Sequence, residues 1–308
     1  MRSMRKFATG LFFIALVLCA MAQTVSANPL RPRTESLSLG LIAVNAEKKT
    51  AQHQEFVDYL TRKVFARADR HGTVMVVPAA AQLAQLLVEG KVDFFMESAY
   101  PTHVIGWRSG SRPILRRWKH GASEYRSVIF ARKDGGIEQL SDLLGKTIVF
   151  EDAESTSGYF LPKSFFIRKG FELRQKSSLN DPVAPQEIGF VFAGAREKNI
   201  VDWVLTDKAA AGAFSDVDLN RIDAKHRAAL AVLAETDALP RHLVSVRKEL
   251  RRAIEDRLQE ILLGMHQNPE GLRILKKLDN TTKFDLFNVS QTEMQVKLLD
   301  VFFSRSSK

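Results

Sequence analysis

KTIVFEDAESTSGYFLPKSFFIRKGF, residues 146–171, is the stretch on which the fold turns. Thr147 to Phe150 is a short run of β-branched and aromatic residues, the composition of a buried strand. From Gly158 the apolar residues recur at helical spacing, with Pro162 close to the start, where a missing N–H is tolerated. Between strand and helix stand three consecutive hydroxyls, Ser155, Thr156 and Ser157, and then Gly158. A strand of a parallel sheet delivers its C-terminal end to the crevice where ligands sit. The first N–H groups of the following helix lack intrahelical partners and favour an anion. The hydroxyls add donors, and Gly158 keeps a Cβ out of the approach. A tetrahedral oxyanion fits that donor set. The same residues also make an ordinary N-cap, for which one of the three suffices. Spacing alone does not choose between the two.

The flanking sequence repeats the strand-helix grammar. SLSLGLIAV (36–44) alternates like a strand, and QHQEFVDYLTRKVFARA (52–68) places Phe56, Tyr59, Leu60 and Val64 on one helical face. TVMVVP (73–78) is a strand closed by proline. AAQLAQLLVEG (80–90) is a helix ended by glycine, and KVDFFMES (91–98) is a further strand. This βαβαβ order predicts a parallel sheet covered by helices. A second unit starts with YRSVIFARKDGG (125–136), a strand and turn. IEQLSDLLG (137–145) reads as a helix and EIGFVFAG (187–194) as a strand. Residues 195–214 read as a helix, a short strand and another helix, and AALAVLA (228–234) as a strand. From about 248 the chain turns helical, with Ile254, Leu258, Ile261 and Leu262 in register, a helix opened by Pro269, and QTEMQVKLLDVFF (291–303) at its close. No linker, repeat or low-complexity tract divides the chain, which suits two lobes exchanging segments across a hinge.

Bulk properties narrow the class. Arg2, Arg5 and Lys6, the apolar run GLFFIALVLCAMA (10–22) and Val25-Ser26-Ala27 form an export signal with cleavage expected near Ala27. The run is short for a bilayer span, the alternative being an uncleaved anchor. The single cysteine, Cys19, lies in that run after Leu18, which argues against lipidation; its removal leaves no disulfide or thiol chemistry. About 280 residues remain, enough to bury a core without disulfides. The formal net charge of +10 falls by three, to +7, without Arg2, Arg5 and Lys6. A basic exported protein favours anionic ligands or surfaces. The densest basic cluster, RPILRRWKHG (112–121), reads as a solvated loop. Trp107 and Trp203 read as core residues.

Four stretches together carry a resemblance: LGLIAVNAEKKTAQHQEFVDYL, LVEGKVDFFMES, the block EYRSVIFARKDGGIEQLSDLLGKTIVFEDAESTSGYFLPKSFFIRKGF, and TDALPRHLVSVRKEL. On these the chain resembles the PhnD-like family of phosphate-, phosphite- and phosphonate-binding periplasmic proteins, the solute-binding components of ABC importers. The most specific element is the Asp-Leu-x-Gly-Lys end followed by a strand and STSGY-x-x-P. The resemblance implies an α/β, two-lobed type II periplasmic binding protein fold, each lobe a mixed sheet flanked by helices with a hinge between. One lobe is expected over 33–128 plus 238–308, and the other over 129–237. The resemblance also implies that Ser155, Thr156, Ser157 and Gly158 grip the oxyanion and that Tyr125, on the hinge side, adds a phenol. A half-buried strand aromatic is the alternative for Tyr125.

The departures are informative. The Gly-Pro that phosphonate binders often carry near the third strand is Glu97-Ser98-Ala99-Tyr100-Pro101. A tyrosine at the second helix is Ala80 or Ala81, and a histidine after FVFAG is Ala195 or Arg196. An acidic pair that would hold an aminoalkyl ammonium falls near Ala209 and near Arg241 or His242. The anion half of the site is kept and the ammonium half is not, which disfavours an aminophosphonate. Glu97, Asp207 and Tyr100 complete the candidate ligand-binding set. Both acids follow apolar stretches, with a solvated or capping role as the alternative.

The expected function is enclosure of a small oxyanion of the phosphate, phosphite or phosphonate class in the periplasm, by a monomer, for delivery to a membrane ABC permease. The alternative output is a membrane sensor kinase reading a ligand other than a phosphonate. An enzyme on the same fold is disfavoured: the seven histidines include no HExxH, and GxSxG and Walker motifs are missing. No catalytic residue, metal or cofactor is assigned. Nucleic acid is not expected as a partner, because the basic residues of 248–260 alternate with acids.

Overall fold

The computed structural model describes residues 35–43, 45–194, 197–286, 298–299 and 302–303. The expected leader with Cys19 and Ala27, the Ala195–Arg196 position and most of the closing helical stretch lie outside these residues.

The first chain segment supplies β1 (Ser38–Ile42), α1 (Ala46–Phe65), β2 (Thr73–Val77), α2 (Ala80–Val88), β3 (Phe94–Glu97), α3 (Ala99–Ser109) and β4 (Arg112–Arg117). After β5 (Glu124–Tyr125) come β6 (Ser127–Arg132), β7 (Thr147–Phe150), α4 (Leu161–Arg168), β8 (Glu172–Gln175), β9 (Glu187–Phe192), α5 (Glu197–Leu205), β10 (Ala211–Ser215), α6 (Asp216–Leu219), α7 (Ala224–Ala228) and β11 (Leu230–Glu235). The chain returns through β12 (Leu239–Pro240) to β13 (His242–Val246), α8 (Arg252–Gly264), α9 (Pro269–Lys277) and β14 (Phe284–Asp285).

These strands form two six-stranded sheets, ordered β14-β4-β13-β3-β1-β2 and β11-β6-β10-β7-β9-β8. In the first, β1 lies parallel between β2 and β3, and the returning β13 is inserted antiparallel between β3 and β4. In the second, β8, β9, β7 and β10 run parallel, and β6 and β11 close the edge antiparallel. The two crossovers, β5 and β12, pair antiparallel with Tyr125 opposite Leu239. Each sheet with its helices makes one lobe, and the crossover pair lies between.

Both faces of each sheet are covered, so the central strands read as continuous apolar runs rather than alternating ones. In the first lobe, Leu39, Leu41, Phe56, Leu60, Leu258 and Leu275 pack on one face, and Leu83, Leu87, Val92 and Phe95 on the other. Gly40 is required in β1, because a Cβ there would lie 2.9 Å from Val92 Cγ1. Helix α1 starts where Asn45 accepts from the Lys48 N–H, and it ends at Ala66 with φ +54°. In the second lobe Phe150, Phe160, Phe166 and Phe190 lie under one face, and Phe130, Val149, Ile200 and Phe214 under the other. Each such side chain contributes roughly 1.5–3 kcal/mol of burial. Leu298, Leu299 and Phe302 join the second lobe's core, away from the first-lobe segment that precedes them in sequence.

Four sequence expectations are corrected, the first being the second helix read within 195–214, where α5 is followed by β10 with no further helix among the described residues. Residues 137–145 form only a single tight turn, Leu140–Leu143: Gln139 and Asp142 cap each other across it and Leu144 is already extended. The basic cluster 112–121 is not a solvated loop, since its first six residues are β4 and Arg117 is among the largest fully buried side chains. Trp107 is 80% exposed on α3 rather than in the core. Periodicity did not expose β4 because its charges alternate with apolar residues only in part.

Candidate functional site

Parallel strands of both sheets end at one cavity of about 560 Å³. Ile42 ends β1 and Ala43 follows it, Pro78 follows β2, and Glu97 and Ser98 stand at the end of β3; Glu151 to Ser157 follow β7. Lys119, Tyr125, Arg241 and His242 enter from the crossovers, and Asp218 from α6. The crevice at the carboxyl ends of parallel strands is where such sheets bind ligands, and the volume is within the range of small-molecule sites.

The hydroxyl turn is a single π-helical turn, Thr156–Phe160, leading directly into α4. Ser155 caps it, accepting from the Gly158 N–H at 2.9 Å and donating to Glu151 Oε2 at 2.6 Å. The Phe160 N–H reaches back to the Ser155 carbonyl at 3.0 Å, the wider ring of a π turn. Thr156 Oγ1 faces the other lobe. It accepts from the Tyr100 N–H at 2.9 Å and donates to Ser98 Oγ at 2.9 Å. The Tyr125 phenol lies near the same two hydroxyls, and burial pushes its pKa up. Ser157 is buried at the cavity wall. A second link runs between lobes: Ala79 offers no side-chain cap to α2, and Glu154 Oε1 supplies one, accepting from the Ala80 N–H at 3.1 Å.

The crossover corner is cationic. On β4, Arg117 faces His242 of β13. The Arg117 guanidinium is satisfied by Thr281 Oγ1, the Leu278 carbonyl and Asp279 at 2.9–3.1 Å. Lys119, two residues on, has Asp279 at 3.8 Å. The Arg241 guanidinium lies 4.4 Å over the Tyr125 ring with Asp218 no nearer than 3.9 Å. Among the described residues, Arg241 Nε and His242 Nδ1 are buried without a hydrogen-bond partner. Burial, then the Arg117 charge, pulls the Lys119 ammonium down to about 8. Burial pushes the Glu97 carboxyl up to about 7 against the pull of Lys119. His242 is held neutral, well below the usual imidazole range, by burial and by Lys119, Arg117 and Arg241.

Residues 39–291 match the family described as the phosphonate periplasmic substrate-binding proteins of ABC transporters. The chain belongs to this family. Its members are substrate-binding proteins rather than enzymes, and periplasmic. Among solved structures, XAC2383 from Xanthomonas citri is similar at 26% identity over 88% of this chain and 98% of that one. Its TM-score is 0.81 in the form bound to chloride and 0.80 in the form bound to ATP. PhnD1 from Prochlorococcus marinus, in complex with methylphosphonate, has the same fold: TM-score 0.62, 16% identity, 87% of this chain and 99% of that one. The two-lobed type II fold expected from the sequence is therefore the observed one.

Within this phosphonate-binding family fold, the sequence-chosen residues fall into two groups. Ser155, Thr156, Ser157, Tyr125 and Glu97 come together at the cavity. Gly158, Tyr100 and Asp207 do not line it. At Gly158 a Cβ would lie 2.6 Å from Glu151 Oε2, so its bareness makes room for a protein carboxylate. The Tyr100 ring stacks on Phe160, centroids 4.8 Å apart, and only its backbone N–H serves the site, through Thr156. Asp207 sits at φ +56° in the turn after α5, which leads to the start of β10 at the opposite end of the second sheet. There it pairs with Arg132 at 2.7 Å beside a separate cavity of about 300 Å³. Sequence reasoning missed Lys119, Ser98, Glu151, Glu154 and Asp218. It met Arg241 and His242 only as replacements for an expected acid. The available signal was Arg117-x-Lys119, a period-two pair running off a strand end.

Proposed function

We propose that the protein is exported, cleaved near Ala27, and encloses a small ligand bearing a phosphate-, phosphite- or phosphonate-type oxyanion between its lobes for delivery to a membrane ABC permease. The observation that carries the reading is the cavity itself, where the hydroxyl turn of one lobe, the strand ends of the other, and the cations Lys119 and Arg241 converge. In this reading Ser155, Thr156, Ser157, Tyr125 and Glu97 contact the ligand. Closure is a rotation about the β5–β12 pair, with one lobe over 33–128 plus 238–286 and the other over 129–237; the bound of 308 expected for the first lobe is corrected, because Leu298, Leu299 and Phe302 pack in the second lobe's core. The family and its fold support a solute-binding role. XAC2383, related over most of its length, was solved with ATP, which supports a ligand larger than a bare oxyanion. The missing ammonium-binding acids noted in the sequence argue against an aminophosphonate.

A thermal-shift series tests this on protein freed of ligand by unfolding and refolding. The panel holds phosphate, phosphite, methylphosphonate, aminoethylphosphonate, sulfate, a phosphate monoester and ATP. A true ligand at a hundred times its dissociation constant adds about 2.7 kcal/mol of stability, an easily read shift in Tm. A flat response to every oxyanion would overturn the reading.

A further inference from the structure

Three features of the cavity bear on where the ligand's charge goes. First, two of the three hydroxyls of the turn are already engaged, which leaves Ser157 alone to offer a side-chain donor there: Ser155 Oγ is bonded to Glu151 and to the Gly158 N–H, and Thr156 Oγ1 to Ser98 and the Tyr100 N–H. Second, the wall that carries the turn also carries the carboxylates of Glu151, Asp152 and Glu154. A helix N-terminus offers the equivalent of roughly half a positive charge, and three neighbouring carboxylates outweigh it. Third, the opposite corner carries cations with incomplete counter-charge. Arg117 takes the close contact of Asp279, leaving Lys119 at 3.8 Å from the same carboxylate and Arg241 at 3.9 Å from Asp218. Arg241 is 8% exposed and its Nε is unpartnered among the described residues, as is the Nδ1 of the equally buried His242. Clustered like charges in a low-dielectric corner are costly unless an anion joins them.

We infer that Lys119 and Arg241, over the Tyr125 ring, seat the ligand's anionic group, while the Glu151–Ser157 wall receives hydrogen-bond donors on the ligand's body. The assignment rests on the solute-binding reading above and narrows the ligand class to a phosphate or phosphonate attached to a hydroxyl-bearing organic group. A cavity of about 560 Å³ holds such a body, whereas a lone oxyanion would leave most of it to water. Hydroxyls donate to acceptor-only carboxylates, and the guanidinium fork suits a phosphoryl group.

Isothermal titration with three probes decides it: inorganic phosphate, glycerol 3-phosphate and adenosine monophosphate, against wild type, Arg241→Gln, Arg241→Lys, Lys119→Met and Ser157→Ala. The expected result is that a monoester binds wild type more tightly than inorganic phosphate does. Arg241→Gln and Lys119→Met should each weaken it at least tenfold, Arg241→Lys should recover part of the loss, and Ser157→Ala, which removes one hydroxyl contact to the ligand's body, should weaken it less than either cation variant. Thermal melts of the ligand-free variants establish folding, and Lys119→Met carries the test if Arg241→Gln does not fold. Binding that survives both cation variants but is lost in Ser157→Ala overturns the seat and leaves the solute-binding reading intact. So does binding that none of the variants changes. No binding of any probe to wild type, together with a flat oxyanion panel, overturns the solute-binding reading and the seat with it.

Discussion

Thr156 Oγ1 donates to Ser98 Oγ across 2.9 Å, joining the first turn after β7 in one lobe to the end of β3 in the other. The same oxygen accepts the Tyr100 N–H, so one hydroxyl satisfies the start of α3 and ties the lobes together. Thr156→Val keeps the shape but removes both bonds and strands a half-buried N–H. The expected loss is about 1–3 kcal/mol in urea unfolding. Ser98→Ala, which removes one bond only, should cost less. Equal losses from the two variants would mean that the Tyr100 N–H finds another partner.

Gly158 and Glu151 form a second coupled pair. A methyl at 158 meets Glu151 Cβ first, then Glu151 Oε2 at 2.6 Å and Ser155 Oγ at 3.0 Å. Gly158→Ala should therefore destabilise the protein by about 1–3 kcal/mol through overpacking. Glu151→Gly in the same chain, which removes the Cβ as well as the carboxylate, should recover part of that cost, a coupling that a double-mutant cycle reads directly. Strictly additive losses would show that the neighbouring backbone, not Glu151, sets the limit.

The contrast between these residues and Arg241 shows what the sequence could disclose. The βαβαβ order was legible because both sheets are covered on both faces, and their strands announce themselves as apolar runs. The hydroxyl turn was legible because a strand, three hydroxyls, glycine and a helix occur in one continuous stretch. Lys119 and Arg241 were not, since they come from two crossovers more than a hundred residues apart, and their meeting depends on β13 being inserted beside β4. Asp207 misled for a related reason. Following an apolar stretch does not say at which end of a sheet a residue emerges, and this one emerges at the end away from the cavity.

Arg117 and Asp279 hold the floor of the cationic corner. Burial alone would raise the Asp279 carboxyl, but Lys119 and Arg117 outweigh it and hold it well below the usual carboxylate range. A depressed carboxylate contributes stability that is present above its unfolded value of 3.8 and lost as pH falls through its folded value. Arg117→Met leaves that buried carboxylate without its closest cation, and a loss of about 3–5 kcal/mol is expected at neutral pH. Because the depression weakens, the variant's remaining acid sensitivity should also start at higher pH than in wild type. An unchanged acid midpoint would place the controlling charge on Lys119 instead.

Glu97 and Lys119 make the corner sensitive to pH near neutrality. The Glu97 carboxyl is raised to about 7, chiefly by burial, so its contribution to stability is complete below 4.5 and lost as pH rises through 7. The Lys119 ammonium is lowered to about 8, again chiefly by burial, so its contribution is complete above 10.5 and lost as pH falls through 8. The two slopes have opposite sign, and the ligand-free protein should show a shallow stability minimum between about 7 and 8. Glu97→Gln should flatten the acid limb and Lys119→Met the alkaline limb. Anion affinity follows the same groups in one direction only. Below 7 the corner holds a neutral Glu97 and a charged Lys119, and above 8 an ionised Glu97 and a neutral lysine, so affinity should fall across that interval. A probe of constant charge, such as sulfate or a phosphodiester, removes the ligand's own titration from the measurement. Affinity that is flat from pH 6 to 9 in wild type, or that falls as steeply in the Glu97→Gln, Lys119→Met double variant, would separate this pair from the anion it is argued to face.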